Sequence, residues 1–366
     1  MQTLVRGPVM ADVAAFELTD VEKNRLMRPE IGGVILFRRN FESVAQLKAL
    51  VAEIKALRTP ELVIAVDHEG GRVQRFIQGF TRLPAMAVLN DVWQTQGKDA
   101  ALAQAEEIGW VLAAELRACG IDLSFTPVLD LDWDQCAVIG NRSFSADAQE
   151  VSDLALALQS GLKRGGMKRG GMNSCGKHFP GHGFVEGDSH HVLPQDTRDF
   201  DTLWQNDIVP FVHMSAAGMG AVMPAHVVYP QVDEQPAGFS PFWLQDILRE
   251  KIGFDGIIFS DDLTMEGACG VGGIKVRTEL SLQAGCDIAL ICNRPDLVDE
   301  LLSEWTWDAS TQPKLAERWE RVAGQGLQAD FEALLNTAAF QQAQQRVAEL
   351  ATPKDTHNGV KVGEAF

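Results

Sequence analysis

Four of the chain's eight histidines fall within fifteen positions, in Lys177-His178-Phe179-Pro180-Gly181-His182-Gly183 followed by Asp188-Ser189-His190-His191. A lone histidine is most often structural. A cluster this dense, on a stretch broken by Pro180, Gly181, Gly183 and Gly187, points to chemistry. Three chemistries compete for it. Gly171 to Lys177 matches the first seven positions of a phosphate-binding loop. The eighth is His178, where Ser or Thr should hold magnesium, and Pro180 spoils the helix whose N-terminus should face the phosphates. His178 and His182 have the i, i+4 spacing of a zinc helix, but Phe-Pro-Gly between them does not fit a helix interior, which leaves only loop-borne ligands. The third is an acid/base dyad. In Asp188-Ser189-His190 a carboxylate beside an imidazole can bond one ring nitrogen, stabilise the cation and lift the pKa from about 6.5 toward working pH.

Carboxylates form the second feature. In Gly256-Ile-Ile-Phe-Ser-Asp261-Asp262-Leu263, an acid directly after a buried strand would be held rigidly, as a nucleophile requires. The competing role is capping of the next helix, and one aspartate of the pair can do each. Asp67-His68-Glu69-Gly70-Gly71-Arg72-Val73-Gln74-Arg75 offers another strand-end carboxylate suited to binding hydroxyls, with Arg72 or Arg75 to hold an anion or orient a carboxylate.

Such groups need a frame, and the sequence carries one. Short apolar runs at 8–12, 33–37, 62–66, 123–129, 174–178, 221–225, 256–260 and 287–292 alternate with helical stretches. Most are continuously apolar, the pattern of parallel strands buried on both faces. Between them, Asp99 is expected to cap a helix with Ala105, Ile108, Leu112 and Leu116 on one face and Gly120 as its stop. Ser240-Pro241 starts another that Gly253 ends. Eight βα units predict a (β/α)₈ barrel. Asp67, Asp130, Lys177, His178, His226 and Asp261 then all follow strands at one face, where barrel enzymes build their sites. The barrel is expected over 1–300, a helical extension packed on it over 301–350, and a frayed tail over 351–366. The tandem KRGGM of 163–172 reads as a helix end turning into the fifth strand.

Bulk properties narrow the partners. The net charge of −18 argues against a general polyanion-binding surface, so no nucleic-acid partner is expected. No window has the roughly eighteen apolar residues of a membrane span, and the first twenty residues lack an export signal. The six cysteines have no paired spacing and read as reduced, buried side chains. These features point to a cytoplasmic protein acting on a small molecule.

Five motifs in order, VDHEGGRVQRF (66–76), IGNRSF (139–144), GKHFPGHG with DSH (176–183, 188–190), MPAHVVYP (223–230) and FSDDLTMEGA (259–268), resemble the bacterial β-N-acetylglucosaminidases of glycoside hydrolase family 3. The resemblance covers about residues 5–300, to single-domain enzymes that recycle peptidoglycan fragments in the cytoplasm. It implies a retaining double displacement with no cofactor and no metal. By motif, Asp261 would be the nucleophile, His190 the general acid/base and Asp188 its partner. Asp67, Arg75, Arg142, Lys177 and His178 would bind the sugar. The implied substrate is terminal β-linked GlcNAc on 1,6-anhydro-N-acetylmuramic acid, with or without peptide. The departures are His68 inside VDHEGG, the KRGGM duplication and the weakly matching tail. Neutral imidazole does not repel an anionic acceptor, so a phosphorylase using the same residues is the alternative within the family. A metal-dependent hydrolase and a non-catalytic sugar-binding barrel are the alternatives outside it.

Overall fold

A computed structural model describes residues 2–164, 171–186, 193–324 and 331–351. Eight parallel strands form its centre: β1 (Val9–Asp12), β2 (Ile31–Leu36), β3 (Val63–Val66), β4 (Leu123–Ser124), β5 (Cys175–Phe179), β6 (Ala221–Pro224), β7 (Ile257–Asp262) and β8 (Ile288–Ile291). Each pairs with its neighbours in chain order, and β8 pairs with β1. The remaining seam is closed by parallel bridges Leu123↔Asn173 and Val128↔Lys177, so the sheet is a (β/α)₈ barrel. All eight apolar runs became strands. The fourth is shorter than its run because Pro127 has no N–H to extend the ladder. The expected strand over 123–129 stops at Ser124, and pairing toward β5 resumes at Val128.

Helices α1 (Asp20–Leu26), α2 (Val44–Ala56), α3 (Lys98–Ala118), α4 (Ala148–Arg164), α5 (Val209–Ala216), α6 (Phe242–Lys251), α7 (Ile274–Ala284) and α8 (Pro295–Glu304) follow the strands. Ala105, Ile108, Leu112 and Leu116 of α3 are all buried, and Gly120 has φ +87° just past its end. Asp99 does not cap it. The N-cap is Gly97 at φ 93°, which places Asp99 inside the first turn, where its charge still favours the positive helix end. The Ser240 hydroxyl accepts the Trp243 N–H at 3.1 Å, as a cap should.

Strand pleating divides the apolar residues into two cores. Met10, Ile35, Val63, Ala65, Cys175, Ala221, Met223, Ile257, Phe259, Ile288 and Leu290 point into the barrel. Their neighbours Val34, Ile64, Val66, Val222, Ile258 and Ala289 point outward beneath the helices. A further helix, α9 (Leu315–Val322), adds Leu315, Trp319 and Val322 to the inner core. Two more helical segments, Phe331–Leu335 and Ala338–Leu350, follow, and the latter packs on α3. No described helix is long and apolar enough to cross a membrane. Most of the KRGGM duplication (165–170) and the expected tail from 352 onward lie outside the described residues.

Candidate active site

The period of two that fills the barrel also builds its mouth. Two residues beyond the inward Ala65 comes Asp67, two beyond Cys175 comes Lys177, and two beyond Phe259 comes Asp261. All three line one cavity of about 130 Å³ above Phe125, Met223 and Leu290. Glu69, Arg75, Arg142, His178 and His182 complete its polar wall. Strands β3, β5 and β7 thus deliver chemistry-bearing side chains to one end, from segments as much as 194 positions apart in sequence (Asp67 to Asp261).

Charge is compensated pair by pair. Lys177 Nζ lies 2.8 Å from Asp67 Oδ1 and 2.7 Å from Glu69 Oε1. Arg142 meets Glu69 with Nε and one terminal nitrogen, both at 2.8 Å, the bidentate geometry that favours guanidinium over ammonium. Arg75 approaches Asp67 at 3.5 Å. Burial works against ionising Glu69, but Arg142 and Lys177 outweigh it and hold its carboxyl far below the ordinary range. Burial likewise opposes charge on Asp67 and Lys177. Lys177 and Arg75 nevertheless lower the Asp67 carboxyl, while Asp67 and Glu69 raise Lys177. Asp67, Glu69, Lys177 and Arg142 are therefore all charged at neutral pH.

Asp130, fully buried, organises the adjoining imidazoles. Its carboxylate accepts the backbone N–H of His178 at 3.1 Å and of His182 at 2.7 Å, and lies 2.7 Å from His178 Nδ1. Burial resists its ionisation, and the His178 contact overcomes it, so the carboxyl is lowered. With Nδ1 tied to Asp130, His178 turns its other ring nitrogen away from that carboxylate. His182 is pushed down to about 4 by burial and by neighbouring His178 and stays neutral. Its Nδ1 is 3.5 Å from Cys136 Sγ.

The paired aspartates separate cleanly. Asp261 lies on the inner face, and its Oδ1 accepts the Asp262 N–H at 2.8 Å. Asp262 is tied into the frame: it accepts the Thr264 N–H at 2.9 Å, the Thr264 hydroxyl at 2.8 Å and the Cys292 N–H at 3.1 Å. Burial raises it to about 7 despite these bonds. Capping of the segment after β7 thus falls to Asp262.

Of the residues singled out in the sequence, Asp67, Arg75, Arg142, Lys177, His178 and Asp261 meet at this cavity. Asp188 and His190 lie outside the described residues. Arg72 does not line the cavity, and one of its guanidinium nitrogens is bonded to the Ala137, Val138 and Ile139 carbonyls at 2.6–3.2 Å; Arg75 takes the cavity position. His226 is fully buried, stacks on Phe239 and bonds the Asp262 carbonyl at 3.1 Å, which makes it a support for the β7 end. Glu69 was missed because its partner Arg142 is 73 residues away, although a second acid two positions after Asp67 shares its strand face. Among the described residues no three His, Cys, Asp or Glu side chains are grouped to hold a metal ion.

Barrel, strand-end acids and a basic, imidazole-lined wall define the class, a (β/α)₈ glycoside hydrolase. Residues 7–324 match the family described as Glycosyl hydrolase family 3 N terminal domain. A beta-hexosaminidase from Neisseria meningitidis serogroup A is 66% identical over 361 residues, 99% of this chain and 98% of that one. NagZ from Neisseria gonorrhoeae, in complex with N-trifluoroacetyl-D-glucosamine, superposes with a TM-score of 0.90 at 61% identity, covering 96% of this chain and 100% of its own. A family 3 β-N-acetylglucosaminidase from Paenibacillus gives a TM-score of 0.79 at 29% identity, over 94% of this chain and 67% of that one. The chain belongs to glycoside hydrolase family 3.

Proposed function

We propose that this protein is a retaining exo-β-N-acetylglucosaminidase that removes terminal β-linked GlcNAc from peptidoglycan fragments. The beta-hexosaminidase relatives that match nearly end to end support the activity. The observation that carries the mechanism is the placement of Asp261, inward at the barrel mouth and facing the ionised wall of Asp67, Glu69, Lys177 and Arg142. Asp261 attacks the anomeric carbon while His190, held cationic by Asp188, protonates the leaving oxygen. The resulting glycosyl-enzyme is hydrolysed by water that neutral His190 deprotonates. Asp67, Arg75, Arg142, Lys177 and His178 bind the sugar hydroxyls and orient the ring.

The test is turnover of 4-nitrophenyl β-N-acetylglucosaminide together with NMR of the first sugar released. Asp261→Ala should abolish nearly all turnover, and the wild type should release the β-anomer first. Full activity in Asp261→Ala would remove the nucleophile assignment. An α-anomer as first product would exclude retention, and GlcNAc-1-phosphate in phosphate buffer would identify a phosphorylase instead.

A further inference from the structure

The polar wall and the acids account for the top of the cavity, but not for what lies beneath it. Its floor includes Phe125. The Phe125 ring meets Phe259 edge to face, with centroids 5.1 Å apart at 83°. Phe259 in turn meets the Trp319 indole at 6.0 Å and 74°. Trp319 has no exposed surface and lies at the opposite end of the barrel, on α9. Its Nε1 donates to the Gly7 carbonyl at 3.2 Å. The ring fits there because Gly32 and Gly33, the second and third residues of β2, carry no side chain. A Cβ on Gly32 would stand 2.7 Å from Trp319 Cζ2, and one on Gly33 would stand 3.2 Å from Cη2. Three aromatic rings therefore run in unbroken contact from the base of the barrel to the cavity floor.

Phe259 is the middle member of that column and lies two residues before Asp261 on β7; the register with β8 shifts between Phe259 and Asp262, yet Phe259 packs in the inner core and Asp261 lines the cavity. Phe259 is joined to Asp261 through a single intervening residue, so a displaced Phe259 shifts the backbone that carries the Asp261 carboxylate. A close-packed interior has no slack to absorb such a shift. We propose that Trp319 is a positioning residue for the hydrolytic reaction, one that fixes Phe259 and Phe125 and through them the attack geometry of Asp261. The inference rests on Asp261 being the nucleophile. It gives the segment beyond residue 300 a part in the chemistry as well as in stability.

The experiment compares Trp319→Leu, Trp319→Phe, Trp319→Gly and Leu315→Ala with wild type. Leu315 is also buried on α9 but takes no part in the ring column. All are assayed with 4-nitrophenyl β-N-acetylglucosaminide at a temperature where circular dichroism shows each to be folded. A displacement on the order of 1 Å costs about a hundredfold in rate, so Trp319→Leu should lose about ten- to a hundredfold in kcat with KM shifted less than about threefold. Trp319→Phe, which keeps an aromatic edge, should recover most of that loss. Leu315→Ala should melt earlier with wild-type kcat. Added indole should restore kcat of Trp319→Gly saturably. Folded Trp319→Leu with kcat within about twofold of wild type would overturn the proposal. So would indole that raises the melting temperature of Trp319→Gly while leaving its kcat low. Asp261→Ala in the same series separates the two readings, since activity there removes the nucleophile assignment whatever Trp319 does.

Discussion

Glu69→Gln tests whether the cavity wall is held together by compensated buried charge. Glu69 and Lys177 are each 3% exposed at the side chain, Arg142 6%. The substitution leaves Arg142 without its bidentate carboxylate and Lys177 with Asp67 alone. Removing one partner of a buried ion pair costs about 3–5 kcal/mol, because the stranded charge remains desolvated. Unfolding entropy is about 2.1 cal/mol/K per residue near 60 °C, hence about 0.8 kcal/mol/K for a chain of 366 residues. The melting temperature should therefore fall by about 4–7 °C at pH 7. The sign with pH is fixed by the direction of the shift. Glu69 is depressed in the fold, so its contribution is complete above its ordinary value of 4.5 and is lost as pH falls below that. Differential scanning calorimetry of wild type and variant from pH 8 to pH 4 should show a steady gap that narrows below about pH 5. The same variant should raise KM for the nitrophenyl substrate, since Arg142 and Lys177 lose their common anchor. Equal melting temperatures at pH 7, or a gap that widens in acid, would refute the reasoning.

Glu115 behaves in the opposite sense. It is buried beneath Ala338–Leu350, accepts the Thr81 N–H and hydroxyl and the Gln344 amide, and is raised to about 7, chiefly by burial. A raised carboxyl stabilises the fold below its unfolded value and loses that contribution as pH climbs toward 7. Wild type should melt progressively earlier between pH 5 and 8, with up to about 3 kcal/mol involved, and Glu115→Gln should lose less; calorimetry showing an equal or steeper loss in the variant would count against it. Cys119, Cys136, Cys175, Cys286 and Cys292 are free and buried, and burial pushes Cys119 and Cys286 up to about 12. Dithionitrobenzoate at pH 7 should therefore leave these five thiols unreacted in the native protein and modify them only in denaturant.

The barrel was legible because burial on both faces leaves a signal that does not depend on partners: runs as short and rich in β-branched residues as Leu62 to Val66 read as interior strands. The strand-end set was legible too, since Asp67, Lys177 and Asp261 each lie at the end of an apolar run, but which face of each strand turns inward was not. Long-range pairing was less visible. Glu69 reads as one acid in a charged turn until the fold brings Arg142 and Lys177 to it, and Asp130 reads as a strand-end carboxylate until it is found under His178 and His182. Local backbone details also escaped. Asp99 looks like a cap, but the chain turns at Gly97, whose positive φ only glycine adopts readily. Arg72 and Arg75 could not be told apart by spacing, because the choice between them is made by the carbonyls of 137–139. The column from Trp319 to Phe125 spans nearly two hundred residues and has no local signature.

The contact between Trp319 and the glycines of β2 also sets an order of events during synthesis. Gly32 and Gly33 emerge early, and the indole that fills the space above them arrives 286 residues after Gly33. At about 5–20 residues per second, the first strands wait tens of seconds with an apolar opening at one end. The amino-terminal strands therefore cannot fill this opening until α9 has been made. Final closure then joins the Gly7 carbonyl to Trp319, the beginning of the chain to its last third.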